Sequence, residues 1–296
     1  MNLYEIKNLT KTFNRGKKNE IKAIDNVSFS IKKGETLGLV GETGSGKSTI
    51  GKTLIHLLKP SSGQILYAGE DINTFKRDQL KSFHKDVQMI FQDPLSSLDP
   101  RMKVKDIIAE GIDTFKLIPS KDQRDQKIAE LLTMVGLDQR SADQYPFEFS
   151  GGQRQRVSIA RTLAVEPKVI IADEPIASLD VSIQAQIVNL LADLQQKYQL
   201  TYLFIAHDLS MVKYISDRIA VMNQGQIVEL APAEKIYRHP IHPYTQNLLA
   251  SVPVPDPDYE RNRQQVSSNN QLKINPLPGK LVEIEPNHFV LQKKQD

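Results

Sequence analysis

The segment that most restricts the fold of this chain is Gly41-Glu42-Thr43-Gly44-Ser45-Gly46-Lys47-Ser48, which fits the pattern G-x-x-x-x-G-K-S/T. It follows the short apolar run Thr36-Leu37-Gly38-Leu39-Val40, which reads as a buried strand. After it, Ile50, Leu54, Leu57 and Leu58 recur at helical spacing until Pro60, the expected stop. Glycines let the backbone curl so that N–H groups point inward as a nest for phosphate oxygens. The helix that follows adds its positive end. Lys47 brings a mobile charge for terminal phosphates, while Ser48, with Thr49 beside it, offers a hydroxyl to Mg²⁺. A dinucleotide-binding loop does not fit, because position 49 is Thr where that pattern needs its third glycine.

Other apolar runs end in polar residues suited to the same chemistry. Val169-Ile170-Ile171-Ala172 runs directly into Asp173-Glu174. Ligands of open α/β sheets gather at the carboxyl ends of strands, and neighbouring strand residues point to opposite faces. Asp173 is therefore expected to face Mg²⁺, and Glu174 the attacking water. Leu203-Phe204-Ile205-Ala206 ends in His207, placed to sense a terminal phosphate. Val87-Gln88-Met89-Ile90-Phe91 ends in Gln92, which could bridge metal, water and a neighbouring domain. Phe149-Ser150-Gly151-Gly152-Gln153 precedes an amphipathic stretch, with Ser150 as the expected N-cap of a second helix whose N–H groups are open to an anion.

Residues 1–35 alternate apolar and polar and read as a small β layer; 61–93 reads as strand pieces; about 95–165 is helical in texture. Ile219–Met222 and Ile227–Leu230 flank Asn223-Gln224-Gly225-Gln226, a hairpin signal. Past residue 251 the chain is rich in Pro, Asn, Gln and Asp, with one late strand expected near 281–291. Cysteine is absent, which excludes a disulfide framework, Cys-ligated metal and a thiol nucleophile. Lys and Arg number 38 against 35 Asp and Glu, interspersed, and the short run Arg15-Gly16-Lys17-Lys18 reads as a solvated loop, so nucleic acid is not an expected partner. The opening residues lack the apolar core of a secretory signal, and no stretch approaches the ~18 apolar residues of a membrane span. Any membrane crossing is expected to fall to other chains.

Residues 41–49, Gln92, Phe149–Gln153, Asp173-Glu174, Ala177-Ser178-Leu179-Asp180 and His207 resemble, in order and spacing, the motif set of ABC ATPases over roughly residues 1–250. The resemblance implies an α/β fold: a P-loop NTPase core with a mostly parallel sheet, an N-terminal antiparallel β subdomain, and a helical signature subdomain at about 95–165. Residues 251–296 would form a C-terminal extension. It implies ATP held by Gly41–Thr49 with Mg²⁺ at Ser48, Gln92 and Asp173, and hydrolysis by Glu174, His207, Lys47 and Gln92. Each ATP would lie between one subunit's phosphate loop and the partner's Ser150–Gln153, with Asp180 communicating across that interface. Phe13 stands where the family stacks an aromatic on adenine; a core position is the other reading.

Met89–Met102, Asp180–Gln186 and His239-Pro240-Ile241-His242-Pro243-Tyr244-Thr245 are similar to the oligopeptide/dipeptide import subfamily, and to its F-type ATPase in particular. That implies a heterodimer with a related D-type ATPase, two membrane-spanning permease subunits, a solute-binding protein outside the cell or in the periplasm, and a peripheral position at the cytoplasmic face of the membrane. Import of another small solute such as nickel, and a non-transport ABC ATPase, are the alternatives. Against the latter, only 58 positions separate Gln92 from Ser150, without heptads. His239 and His242 sit between prolines, as a rigid loop rather than a metal pair. The cysteine cluster of many relatives is missing, so no iron–sulfur centre is implied.

Overall fold

The computed structural model describes residues 1–251 and 279–293. The chain opens with β1 (Asn2–Phe13), β2 (Ile21–Lys32) and β3 (Thr36–Val40), followed by α1 (Lys47–Leu54). Then come β4 (Ser62–Tyr67), β5 (Glu70–Asp71), α2 (Arg77–Asp86) and β6 (Val87–Ile90). The helical stretch holds α3 (Pro94–Ser97), α4 (Val104–Phe115), α5 (Lys121–Met134) and α6 (Gly151–Leu163). β7 (Val169–Asp173), α7 (Val181–Tyr198), β8 (Thr201–Ala206), β9 (Arg218–Asn223) and β10 (Gln226–Pro232) rebuild the sheet. α8 (Ala233–Arg238), α9 (Pro243–Ala250), β11 (Gly279–Glu285) and β12 (His288–Lys293) complete the described chain.

Among the described residues the strands form two sheets, one ordered β2-β1-β4-β5 and one ordered β11-β12-β10-β9-β3-β8-β7-β6. In the larger sheet, β6, β7, β8, β3 and β9 run parallel, while β10, β12 and β11 are antiparallel additions at one side. Its parallel strands are covered on both faces, which is why their sequences are continuous apolar runs. Alternation divides them between two cores. Leu37, Leu39, Val169, Ile171, Leu203 and Ile205 pack with Tyr4, Ile6, Ile24, Ile50 and Leu54 of the small sheet and α1. Val40, Ile170, Ala172, Tyr202 and Phe204 pack with Ile107, Ile128, Leu131, Val157 and Ile187 of the helical side. Because the parallel strands point the same way, their carboxyl ends bring residues 41–46, Gln92, Asp173-Glu174 and His207 to one edge.

Three expectations need correction. α1 stops at Leu54 rather than before Pro60: His56 adopts a left-handed backbone (φ 60°), and the N–H groups of Leu57 and Leu58 turn back to donate to the Lys52 carbonyl at 2.9 and 3.1 Å. Within 61–93 lies a helix, α2, whose one buried residue is Phe83, too little for a helical period to be read. The tail carries a hairpin rather than one strand, and β12 joins the large sheet against β10, with Glu229 opposite Val290 and Leu230 opposite Phe289.

The β4–β5 hairpin turns at Ala68 and Gly69, both at positive φ (50° and 90°), with Tyr67 paired to Glu70. A two-residue turn of that kind suits Asn-Gly better than Ala-Gly. Ala68 is exposed. Ala68→Asn is expected to raise stability by about 0.5–1 kcal/mol, read as a higher urea midpoint at unchanged slope.

Candidate active site

The phosphate loop connects the end of β3 to α1 and is shaped by contacts on its outer side. Gly46 has φ 108°, and a Cβ there would lie 2.1 Å from the Ala23 carbonyl oxygen of β2. No other residue fits that approach. The Gly225 N–H, in the β9–β10 turn, donates to the Ser45 carbonyl at 2.9 Å. Glu42, Thr43 and Gly44 are exposed, Ser48 and Thr49 half-buried. Ser45 is buried, and its hydroxyl has no hydrogen-bond partner.

Lys47 is buried, and its ammonium donates to the carbonyls of Gly41 at 2.7 Å and Glu42 at 2.9 Å. Two of its three donors are thereby used within the loop. Burial lowers its pKa, against the opposing pull of the Glu174, Asp173 and Glu42 carboxylates. Ser48 Oγ donates to Asp173 Oδ1 at 2.8 Å, joining the loop's helix to the tip of β7. Asp173 is buried, and burial raises its pKa although the Ser48 hydrogen bond and the Lys52 and Lys47 charges pull it down.

Glu174 leaves the strand abruptly. Its backbone is left-handed (φ 46°), and its N–H donates to the Ile205 carbonyl at 3.0 Å. Such a conformation costs a non-glycine residue about 1–2 kcal/mol. Its Oε2 accepts from Gln92 Nε2 at 2.9 Å and lies 3.8 Å from His207 Nδ1. Beside Glu174 and His207 is a recess of about 20 Å³, also lined by Ala177, Gln184 and Ala206. That is room for one water-sized molecule. The structure thus brings Lys47, Ser48, Asp173, Glu174, Gln92 and His207 together, with one amendment: Gln92 is hydrogen-bonded to Glu174, and not to the Ser48–Asp173 pair.

Two other sets lie apart. Ser150 caps α6: its Oγ accepts from the Gln153 N–H at 3.3 Å, and its own N–H donates to Gln153 Oε1 at 2.9 Å, a reciprocal capping box. A Cβ on Gly152 would lie 2.6 Å from Ile183 Cγ2 of α7, so that glycine also answers to helix packing. Asp180 is the N-cap of α7 and makes no side-chain cap hydrogen bond. Among the described residues, no hydrogen bond or ion pair joins Ser150–Gln153 or Asp180 to the phosphate loop. Phe13 is half-buried at the end of β1, belongs to neither core, and lies 5.1 Å by ring centroid from the Lys11 ammonium. His242 Nδ1 caps α9 by accepting from the Tyr244 N–H at 3.1 Å, and no metal-binding cluster occurs among the described residues.

Residues 24–177 match the ABC transporter family, and residues 228–279 match the oligopeptide/dipeptide transporter C-terminal region. The chain belongs to the ABC transporter family and is its ATP-binding, ATP-hydrolysing component. It is 56% identical to the oligopeptide transport ATP-binding protein OppF of Streptococcus mutans, over 99% of this chain and 96% of that protein. It is 54% identical to the dipeptide transport ATP-binding protein DppF of Lactococcus lactis, over 99% of this chain and 94% of that protein. Among solved structures it is similar to a dimeric, post-hydrolysis state of the ATP-binding cassette MJ0796 bound to ADP and Pi: 31% identity, TM-score 0.71, covering 78% of this chain and 98% of that one. The expected fold, a P-loop core with a mostly parallel sheet, an N-terminal antiparallel β subdomain and a helical subdomain, is the fold found, the large sheet being mixed through its three antiparallel strands at one side.

The raised pKa of Asp173 has a stability consequence. A carboxyl that holds its proton more tightly folded than unfolded weighs against folding once the pH exceeds its ordinary value. Asp173→Asn keeps an acceptor for Ser48 and removes the charge. The nucleotide-free variant is expected to resist urea better than the parent at neutral pH, with the gain fading as the pH falls from the raised value toward the ordinary carboxylate value. Equal midpoints at neutral pH would contradict this.

Proposed function

We propose that this chain powers the uptake of oligopeptides or dipeptides, working at the cytoplasmic face of the membrane on two permease subunits. A second, related ATPase completes the motor, and a solute-binding protein delivers the cargo. The match of residues 228–279 to the peptide-transporter C-terminal region supports the choice of cargo, as do the oligopeptide and dipeptide transport proteins to which the chain is similar. No helix among the described residues is long and apolar enough to cross a membrane, in keeping with permeation through other chains.

The observation that carries the motor reading is the 2.8 Å hydrogen bond from Ser48 to Asp173, with Lys47 and Glu174 beside it. Gly41–Thr49 hold the triphosphate: the unpartnered Ser45 hydroxyl suits an anion, and the positive-φ glycines of the loop let its N–H groups turn inward. Lys47 exchanges its loop carbonyls for phosphate oxygens. Phe13 lies against the base. Ser48, Asp173 and Gln92 form the oxygen donor set for Mg²⁺, which when bound neutralises phosphate charge.

Gln92 orients Glu174 through Oε2, with His207 Nδ1 3.8 Å from the same oxygen. Oε1, with no partner among the described residues, is the oxygen that takes the proton from the attacking water. His207 then holds the transferred phosphoryl group. Ser150–Gln153 and Asp180, which among the described residues make no hydrogen bond or ion pair to their own chain's phosphate loop, serve the nucleotide of the neighbouring subunit.

Lys47→Ala is expected to abolish nucleotide binding and turnover, measured by calorimetry and phosphate release; full binding would refute the loop assignment. In the assembled transporter, Glu174→Gln should bind ATP normally and lower turnover by about 10²–10⁴-fold. Peptide uptake into proteoliposomes that stops with either substitution supports the cargo. Uptake of nickel but not peptide would overturn it.

A further inference from the structure

The loop that cradles phosphate is also held from the C-terminal side of the chain. The backbone N–H of Glu42 donates to the hydroxyl of Tyr244, at 3.1 Å. Tyr244 stands in the first turn of α9, its ring buried in the helical-side core. Some 202 positions separate the two residues. Nothing in the β3–α1 unit itself supplies this acceptor.

What places Tyr244 is a fully buried carboxyl. Glu229, in β10, accepts from the Ile241 N–H at 2.9 Å through Oε1 and from the His242 N–H at 3.0 Å through Oε2. These are the two residues before the prolyl start of α9. His242 in turn accepts from the Tyr244 N–H, closing the first turn. Oε1 of Glu229 also meets His288 Nε2 at 2.6 Å, and neither side chain is accessible to solvent. His288 opens β12, so the C-terminal hairpin, β10, the α9 cap and the phosphate loop are linked by four successive polar contacts. A buried carboxyl with three donors is strongly directional.

We infer that Tyr244 is a positioning residue for the phosphate loop, and that Glu229, clamped by His288, sets where Tyr244 stands. This rests on the assignment of residues 41–49 as the triphosphate site. Tyr244 does not touch substrate. It fixes the peptide plane that enters the nest, whose Gly41 and Glu42 carbonyls hold the Lys47 ammonium. A loop held before the nucleotide arrives loses less freedom on binding, so the contact acts on affinity. Turnover of bound ATP, which depends on Glu174 at the other strand tip, is unaffected.

The test uses the full chain and three variants: Tyr244→Phe, which removes only the hydroxyl, Glu229→Gln, and the two combined. Mg·ADP binding is measured by calorimetry, KM and kcat for ATP in the assembled transporter, and nucleotide-free melting by differential scanning. Tyr244→Phe is expected to weaken Mg·ADP binding and raise KM about three- to tenfold, with kcat unchanged and the nucleotide-free melting temperature within about 2 °C of the parent. Glu229→Gln should weaken binding in the same direction. The double variant should bind no more weakly than the weaker single one, since both act along one path.

Tyr244→Phe that binds Mg·ADP as the parent does, while Lys47→Ala loses it, overturns the role of the hydroxyl and leaves the phosphate-loop assignment intact. Loss of nucleotide-free stability with unchanged affinity also overturns it, in favour of plain packing. If Tyr244→Phe weakens binding and a folded Glu229→Gln does not, the carboxyl part falls. If Lys47→Ala binds nucleotide normally, the site itself is misplaced and the inference falls with it.

Discussion

Whether Asp173 meets Ser48 is decided by strand register. Val40 lies level with Ala206 across β3 and β8, and Ile205 level with Asp173 across β8 and β7. The three strands therefore end within a residue of one another. A slip of one position in β7 would turn Asp173 to the helical face and break the hydrogen bond to α1. The register is protected by burial, since Ile170 and Ala172 belong to one core and Val169 and Ile171 to the other. Two apolar faces thus hold one polar contact in place. Glu174, Gln92 and His207 inherit their positions from the same alignment.

Concentrating charge at that edge works against the stability of the fold. Burial disfavours the ionised forms of both Lys47 and Asp173, and their pKa values move toward each other. Each charge in turn restrains the shift of the other. Glu174 adds backbone strain at the same edge. A site of this kind persists because the sheet beneath it is over-determined, and polar sites of high local cost are where function concentrates.

Much of this was legible in the sequence because several signals agree there. The glycine loop lies between a short continuous apolar run and a run of helical period, and Asp173-Glu174 and His207 each follow an apolar run that only a buried strand explains. What escaped has physical reasons. α2 buries Phe83 alone and leaves no period to detect. The end of α1 depends on His56 taking a left-handed backbone, while Pro60, the visible stop, comes too late. That Gln92 is tied to Glu174 is a fact of two strand ends meeting in space. The contact from Tyr244 to Glu42 spans most of the chain and has no local pattern at all. Of the tail, residues 252–278 and 294–296 lie outside the described residues, and the strand expected near 281–291 falls on the hairpin.

The left-handed backbone at Glu174 changes how substitutions there are to be read. Replacing it by Gln alters the head group and leaves the φ preference nearly the same, so chemistry alone is varied. Valine, isoleucine or threonine would meet a β-branched clash with the same φ, and the turn after β7 would shift together with the lost carboxylate. Asparagine and glycine would sit more comfortably in the backbone while emptying the space that Gln92 and His207 address. Activity across a saturation series at this position would therefore follow two variables, side-chain chemistry and tolerance of positive φ, and a ranking by conservative likeness to glutamate would conflate them.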